Sequence, residues 1–155
     1  MRALRRSAAL LCVLLANAAF AAPVACPYTP AELAASFGKA FRGGKAQTAT
    51  VPGGTQATCT YQQDRSSLVL TMMQTAKAES VLRREQAAFE QGLTGKLAPI
   101  AADPDGATWQ TDIYQPNFMA LHYRRGGNRV ELRVTGASFR VAEMQPKLLR
   151  LRRLR

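Results

Sequence analysis

The sequence predicts an α+β domain with a mainly antiparallel sheet of about five strands and helices packed on one face. Two observations support this fold class. Short strand-like segments follow one another through glycine-rich or polar turns, and helical segments stand before, between and after them. Strands joined by hairpins pair antiparallel, and helices that are separate from those runs cover one face of the sheet.

The first element is a helix that begins after Thr29. Thr29 provides an N-cap hydroxyl, Pro30 suits the first helical position, and Glu32 stands three residues after the cap, where its carboxylate completes a capping box. Gly38 is expected to end the helix, because glycine tolerates the left-handed conformation of a C-terminal cap. Cys26 therefore lies just before the helix.

Strands follow this helix. A short strand is predicted over residues 47–51, and a hairpin is predicted over residues 55–62 and 67–74. If Asp64 and Arg65 form the two-residue turn of this hairpin, Cys59 faces Leu70. This register places Cys59 on the apolar face of the sheet.

A second helix is predicted over residues 76–91, with Gly92 as its end. The looser segment after it contains the sequence Asp103-Pro104-Asp105-Gly106. This sequence lacks the third acid and the closing glutamate of a calcium loop, and a proline between acids suits a turn. We therefore expect a turn rather than a metal site.

Three strands come next, over residues 107–114, 118–124 and 129–135. Two consecutive glycines, Gly126 and Gly127, provide the turn between the last two strands. The three segments therefore predict a second set of antiparallel strands.

The register of the last hairpin follows from its apolar residues. With the two glycines as its turn, Leu121 pairs with Leu132, whereas a slip of one residue would bury charged side chains instead. His122, the only histidine in the chain, then lies opposite Glu131 on the other face. We expect this face to be solvated and the pair to be a cross-strand contact rather than a general base.

The last predicted helix covers residues 138–155 and carries a basic tail. Leu148 and Leu151 can dock it on the domain while its arginines remain solvated. The functional alternative is attraction to an anionic surface such as phospholipid headgroups or lipopolysaccharide. The candidate surface-binding residues are Lys147, Arg150, Arg152, Arg153 and Arg155.

Residues 1–21 are predicted to be a signal peptide, and residues 22–155 a single exported domain. Arginines precede an apolar run over residues 8–16, which is too short to span a bilayer, and small residues follow up to Ala21. The expected location is periplasmic or secreted in a bacterium. The alternative is a lipoprotein signal in which Cys26 is acylated.

The net charge is concentrated at the C-terminus. The formal charge of +11 falls to +8 when residues 1–21 are removed, because they contain three arginines and no acid. Residues 147–155 contribute five of these charges, which leaves +3 for the rest of the domain. No uniformly basic groove is indicated, so we do not expect nucleic-acid binding.

Cys26 and Cys59 are predicted to form one disulfide. The third cysteine, Cys12, lies in the signal peptide, so the exported chain contains an even number. Closing this loop stabilises a small domain by about 3–4 kcal/mol on the chain-entropy model. The two cysteines lack the CxxC spacing of a redox motif.

No catalytic motif stands out from the sequence. A single histidine excludes a site that needs two imidazoles, and no serine lies in a GxSxG setting. We expect no cofactor and no metal. The acids of a small hydrolytic enzyme would be residues such as Asp103, Asp105 or Asp112, provided that two carboxylates converge in a pocket.

The pattern of residues 26–33, Phe37-Gly38 and Cys59-Thr60-Tyr61 before an apolar strand resembles small bacterial exported or lipoprotein domains of unknown function. In those domains a cysteine before the first helix pairs with one on an early strand. The resemblance covers residues 26–72 and implies a compact periplasmic α+β domain. Pro23 departs from the lipoprotein members.

Three functions are therefore open. The first is a non-enzymatic periplasmic binding or interaction module whose partner is a protein or another envelope component. The second is a binder of anionic lipid or lipopolysaccharide that acts through the basic tail. The third is a small hydrolytic enzyme that uses acidic residues.

Overall fold

In the part of the chain that the structure describes, the fold is an antiparallel sheet of seven strands with two helices against one face. The computed structural model describes residues 25–52, 54–63, 68–77, 95–112, 117–136 and 139–154. The strand order is β1-β2-β3-β7-β6-β5-β4, and all neighbours pair antiparallel. The elements in chain order are α1 (Pro30–Phe37), β1 (Lys45–Val51), β2 (Gly54–Gln63), β3 (Leu68–Lys77), β4 (Gly95–Pro99), β5 (Thr108–Asp112), β6 (Phe118–Arg125), β7 (Asn128–Thr135) and α2 (Val141–Arg150).

The predicted α+β class is confirmed, and the predicted strand count of about five is wrong. β4 was expected to be irregular, yet it pairs with β5 so that Leu97 lies opposite Gln110. β4 has only five residues, ends in Pro99 and lies at an edge of the sheet. Such a strand is held by its one neighbour rather than by its own periodicity.

The capping of α1 agrees with the prediction. Thr29 accepts a hydrogen bond from the Glu32 N–H over 3.2 Å, and the Thr29 N–H donates to Glu32 Oε2 over 2.7 Å. Gly38 has a φ of 74° at the other end, and its N–H donates to the Ala34 carbonyl over 2.8 Å. A side chain at Gly38 would be strained in this conformation.

The predicted register of the β2–β3 hairpin is wrong by two residues. Cys59 lies opposite Met72 rather than Leu70, and Leu70 lies opposite Tyr61. The reason is that four residues rather than two separate Gln63 and Leu68, which are the last paired residues. An even shift leaves every side chain on its expected face, so Cys59 remains in the core.

The β6–β7 hairpin has the predicted register. Leu121 lies opposite Leu132, and Tyr123 lies opposite Val130. Gly126 and Gly127 have φ values of 57° and 77°, as a two-residue hairpin turn of this hand requires. The apolar alternation of both strands therefore determined their pairing.

The predicted helix over residues 76–91 lies mostly outside the described residues. Its first two residues belong to β3, which continues to Lys77. Residues 78–94 lie outside the described residues.

The last helix is shorter than predicted. α2 covers Val141–Arg150, passes through Pro146, and ends before Leu151, which has a φ of −65° and a ψ of 136°. Residues 151–154 continue as a non-helical segment in which Leu151 and Leu154 are buried. The segment leaves the helix because it makes contacts to the body of the domain, which are described below.

Both described helices contribute to one core. Leu33 of α1 and Leu148 of α2 belong to the same buried cluster as Tyr61, Leu121 and Leu132 from the sheet. This agrees with the expectation of helices on one face. No helix in the described ranges is long and apolar enough to cross a membrane.

Candidate functional site

The predicted disulfide between Cys26 and Cys59 is confirmed. Their Cα atoms lie 5.5 Å apart, within the usual range for a disulfide. Cys59 is fully buried on β2, and Cys26 lies just before α1. The bond therefore ties the start of α1 to the second strand of the sheet, as the sequence predicted.

Gly44 makes a close approach to this disulfide. A Cβ atom at Gly44 would lie 2.6 Å from Cys26 Sγ and 2.6 Å from Cε1 of the fully buried Tyr61. The preceding residue, Gly43, has no heavy atom within 4 Å of the corresponding position. The chain that leads into β1 therefore has room for glycine alone at Gly44.

Arg152 is held against the start of the domain. Its Nε lies 2.6 Å from Glu32 Oε1, and its guanidinium contacts the Pro27 carbonyl and lies 5.5 Å from the centroid of the Tyr28 ring. The pKa of Glu32 is lowered, chiefly by the Thr29 N–H and then by Arg152. The same carboxylate thus caps α1 and holds the C-terminal segment.

Arg153 is held by the turn at residues 103–106. Its guanidinium contacts Asp103 Oδ2, and its Nε lies 4.0 Å from Asp105 Oδ2. The guanidinium also lies 4.4 Å from the centroid of the Tyr123 ring. With 18% of its side chain exposed, Arg153 points into the domain rather than into solvent.

The predicted turn at Asp103 is confirmed. Asp103 Oδ1 accepts the N–H groups of Asp105 over 2.9 Å and of Ala107 over 3.3 Å. Asp105 also lies 3.5 Å from Nε of Arg125. Both carboxylates therefore have structural partners, and the described residues contain no cluster of three His, Cys, Asp or Glu side chains that could hold a metal.

Buried tyrosines complete the attachment of the C-terminal segment. The hydroxyl of Tyr28 donates to the Arg152 carbonyl over 3.1 Å, and the Leu154 N–H donates to the Tyr123 hydroxyl over 2.9 Å. The Tyr28 N–H in turn donates to the Tyr61 hydroxyl over 3.0 Å. Burial raises the pKa of all three tyrosines. We call residues 151–154 with these contacts the tail clasp.

The predicted tail residues therefore do not form one surface. Arg152 and Arg153 make intramolecular ion pairs, Arg150 is exposed beside Leu149, and the Lys147 side chain is half-buried. Leu149 is 44% exposed and is the only large apolar side chain found exposed among the described residues. Arg155 lies outside the described residues.

The face of the sheet opposite the helices carries four polar side chains in contact with one another, which we call the polar row: Gln110, His122, Glu131 and Arg133. His122 lies opposite Glu131 as predicted, but the expectation of a solvated face is wrong here, because the two residues are only 7% and 8% exposed. His122 Nε2 lies 2.8 Å from Gln110 Oε1, and His122 Nδ1 lies 3.7 Å from Glu131 Oε2. Glu131 Oε1 in turn accepts from Arg133 over 2.7 Å.

The charge state of His122 follows from its surroundings. Burial lowers its pKa to about 3, and Arg129 and Arg133 act in the same direction. The imidazole is therefore neutral near pH 7, and its contact with Glu131 is not an ion pair at that pH. A group with this pKa is a poor proton acceptor near neutrality, which argues against a general base at this position.

Two cavities flank the polar row and share Arg129. One of about 370 Å³ is lined by residues that include Asp105, Thr108 and His122. The other, of about 280 Å³, is lined by residues that include Gln56 and Met73. Only Asp105 among the three candidate catalytic acids lines either cavity within the described residues, so the pair of converging carboxylates that a hydrolase needs is not found there.

β1 is the most exposed element of the sheet. Six of its seven residues are exposed, and Val51 alone is partly buried. Its inner edge pairs with β2 along its whole length, and no other described strand pairs with its outer edge. The two described helices therefore do not cover β1.

β1 agrees with the strand predicted over residues 47–51, but it was not predicted to be a functional surface. Its composition could have indicated an exposed strand, because the segment Lys45–Val51 consists of alanine, threonine, glutamine, one lysine and one valine. A strand with no apolar face has no reason to lie in a core.

Comparison of the chain with protein-family models, with curated proteins and with solved structures finds no match.

Proposed function

We propose that this protein is an exported, non-enzymatic interaction module that binds an extended segment of a partner protein along β1. The observation that supports the proposal is the exposure of β1 on both faces and along its outer edge. A free strand edge offers a row of N–H and C=O groups, and addition of a strand to such an edge is a recurrent mode of peptide recognition. The disulfide is consistent with an oxidising, exported environment.

The two edges of the sheet differ in how they are protected. Natural proteins protect edges with short strands, prolines, bulges or charged side chains. β4 has five residues, among them Lys96 and Pro99. β1 has seven residues, no proline, and a single charged residue at its first position, Lys45. β1 therefore lacks the features that normally prevent pairing with another chain.

β1 is held in place by its pairing with β2. β1 pairs with β2 over seven residue pairs, and Ala46 lies opposite Cys59, which the disulfide fixes. A strand that is ordered before binding loses little conformational entropy when a partner pairs with it. The disulfide thus serves the proposed function by fixing β2, the strand with which β1 pairs.

The test is selection of linear peptides from a displayed library, with amide hydrogen exchange to locate the bound peptide. We expect protection of β1 amides. Neighbouring residues of a strand direct their N–H groups to opposite edges, so only one of the variants Thr48→Pro and Ala49→Pro removes an outward N–H. The variant that keeps the wild-type melting temperature is the one that removes the outward N–H, and it should lose peptide binding. Binders that protect other regions and tolerate both prolines would contradict the proposal.

A second proposal is contact with an anionic membrane surface through α2. It is supported by the exposed Leu149 next to the exposed Arg150. Deletion of residues 147–155 is a poor test, because it also removes the buried Leu148, Leu151 and Leu154. Arg150→Glu reverses one exposed charge instead, and it should weaken salt-sensitive binding to phosphatidylglycerol vesicles. Equal binding by the variant and the wild-type protein would exclude this surface.

A further inference from the structure

We infer that the segment that pairs with β1 is β1 of a second copy of this chain, so that two sheets join into one across a twofold axis. This inference rests on the proposed function. It is carried by the self-complementarity of Lys45–Val51 in one antiparallel register. That register is centred on Thr48, which then faces its own counterpart.

The side chains agree with this register. Gln47 lies opposite Ala49, and Lys45 lies opposite Val51, so no charged residue faces another charge. The two copies of Lys45 are separated by six residues along the strand, or about 20 Å. This separation exceeds the Debye length of about 8 Å at physiological salt, so the repulsion between them is screened.

The ends of the strand also agree with this register. Pro52 directly follows β1, and Gly44 directly precedes it. In the register centred on Thr48, each Pro52 lies opposite Gly44 of the other copy. Proline cannot donate to a ladder, so pairing stops there, and glycine offers no side chain to obstruct the proline ring. The ladder is therefore limited to seven residues from each copy.

The exposure of β1 makes room for the second copy. Alternate residues of β1 point to opposite faces, and those on both faces are exposed, so no described element obstructs a strand that adds to its edge. Threonine residues on neighbouring strands form favourable cross-strand pairs, and the axis places Thr48 beside its counterpart. Lysine at that position would instead place two like charges face to face.

The experiment traps the register with cysteines on the face of the sheet opposite Cys59. Gln47→Cys and Ala49→Cys are prepared separately with the native disulfide formed, and are then mixed and mildly oxidised. The proposed register places these two positions directly opposite each other, so a disulfide-linked dimer should form in the mixture. Each variant alone should yield little dimer, because its own copies are offset by two residues and exceed the Cα separation of about 7 Å that a disulfide allows.

Sedimentation of the wild-type protein over a range of concentrations provides the second measurement. We expect a dimer whose dissociation constant rises about fivefold in Thr48→Lys, from the like charges on the axis. Equal cross-linking in the single variants, or a dimer unaffected by Thr48→Lys, would overturn the inference. A protein that stays monomeric at every concentration but still binds selected peptides along β1 would also overturn it, while leaving the proposed function intact.

Discussion

Gly44→Ala tests whether the chain before β1 packs against the disulfide as tightly as the structure indicates. The added Cβ would lie 2.6 Å from Cys26 Sγ and 2.6 Å from Tyr61 Cε1. Neither neighbour can move freely, because one is cross-linked and the other is a fully buried ring. Overpacking of this kind costs about 1–3 kcal/mol. The smaller entropy of the unfolded alanine chain offsets about 0.4–1 kcal/mol of that cost.

We therefore expect Gly44→Ala to lower the free energy of unfolding by about 1–2 kcal/mol. Urea unfolding followed by circular dichroism, with the native disulfide intact, measures this change as a decrease in the midpoint of about 1 M at an ordinary slope. Gly43→Ala is the matched control, because its Cβ would meet nothing within 4 Å. If the two variants were equally stable, the close approach of Gly44 to the disulfide would be refuted.

Two further predictions concern the polar row and the tail clasp. The pKa of His122 is about 3 in the folded protein and about 6.5 in the unfolded chain. Between these pH values the unfolded chain therefore binds one proton more than the folded protein. The free energy of unfolding falls as the pH falls through this range. Between pH 7 and pH 4.5 the wild-type protein should lose about 2.5 kcal/mol more stability than His122→Gln, and an equal loss of stability in the two proteins would contradict this. Arg153→Lys keeps the charge but loses the planar group that contacts Asp103 and the Tyr123 ring, so it should destabilise the domain by about 1–2 kcal/mol. The exposed Arg150→Lys is its control and should change the melting temperature little; equal melting temperatures for the two variants would argue against the clasp.

The predictions that rest on local features of the sequence agree best with the structure. The capping box at Thr29 and Glu32 formed as predicted, because its hydrogen bonds join residues three apart and need nothing from the rest of the chain. The β6–β7 hairpin formed in its predicted register for a related reason. Its glycine turn and its apolar alternation specify the same pairing.

Predictions that depended on loop length were less successful. The β2–β3 register was wrong by two residues because four residues, not two, separate the last paired residues of the two strands. Cys59 nevertheless remained buried, since the alternation of side chains across a strand survives any even shift. Burial of a strand residue is thus easier to predict than its partner.

The C-terminal tail shows that contacts between distant residues cannot be predicted from the local sequence pattern. Its leucines and arginines predicted a helix to the end of the chain, but the helix ends at Arg150. The partners of Arg152 and Arg153 are Glu32 and Asp103, which lie 120 and 50 residues away in sequence. Nothing in the tail itself indicates that these acids are near.

The sequence by itself determined the antiparallel α+β class, the capped first helix and the pairing of Cys26 with Cys59. These depend on short-range hydrogen bonding, on side-chain alternation and on an even number of cysteines in the chain expected after export. Only the tertiary structure decided that His122 is buried, that Arg153 turns inward to Asp103, and that no other described strand pairs with the outer edge of β1. Each of these depends on which distant segments cover a residue, and the free energy of burial and of ion pairing is set by those neighbours rather than by local sequence.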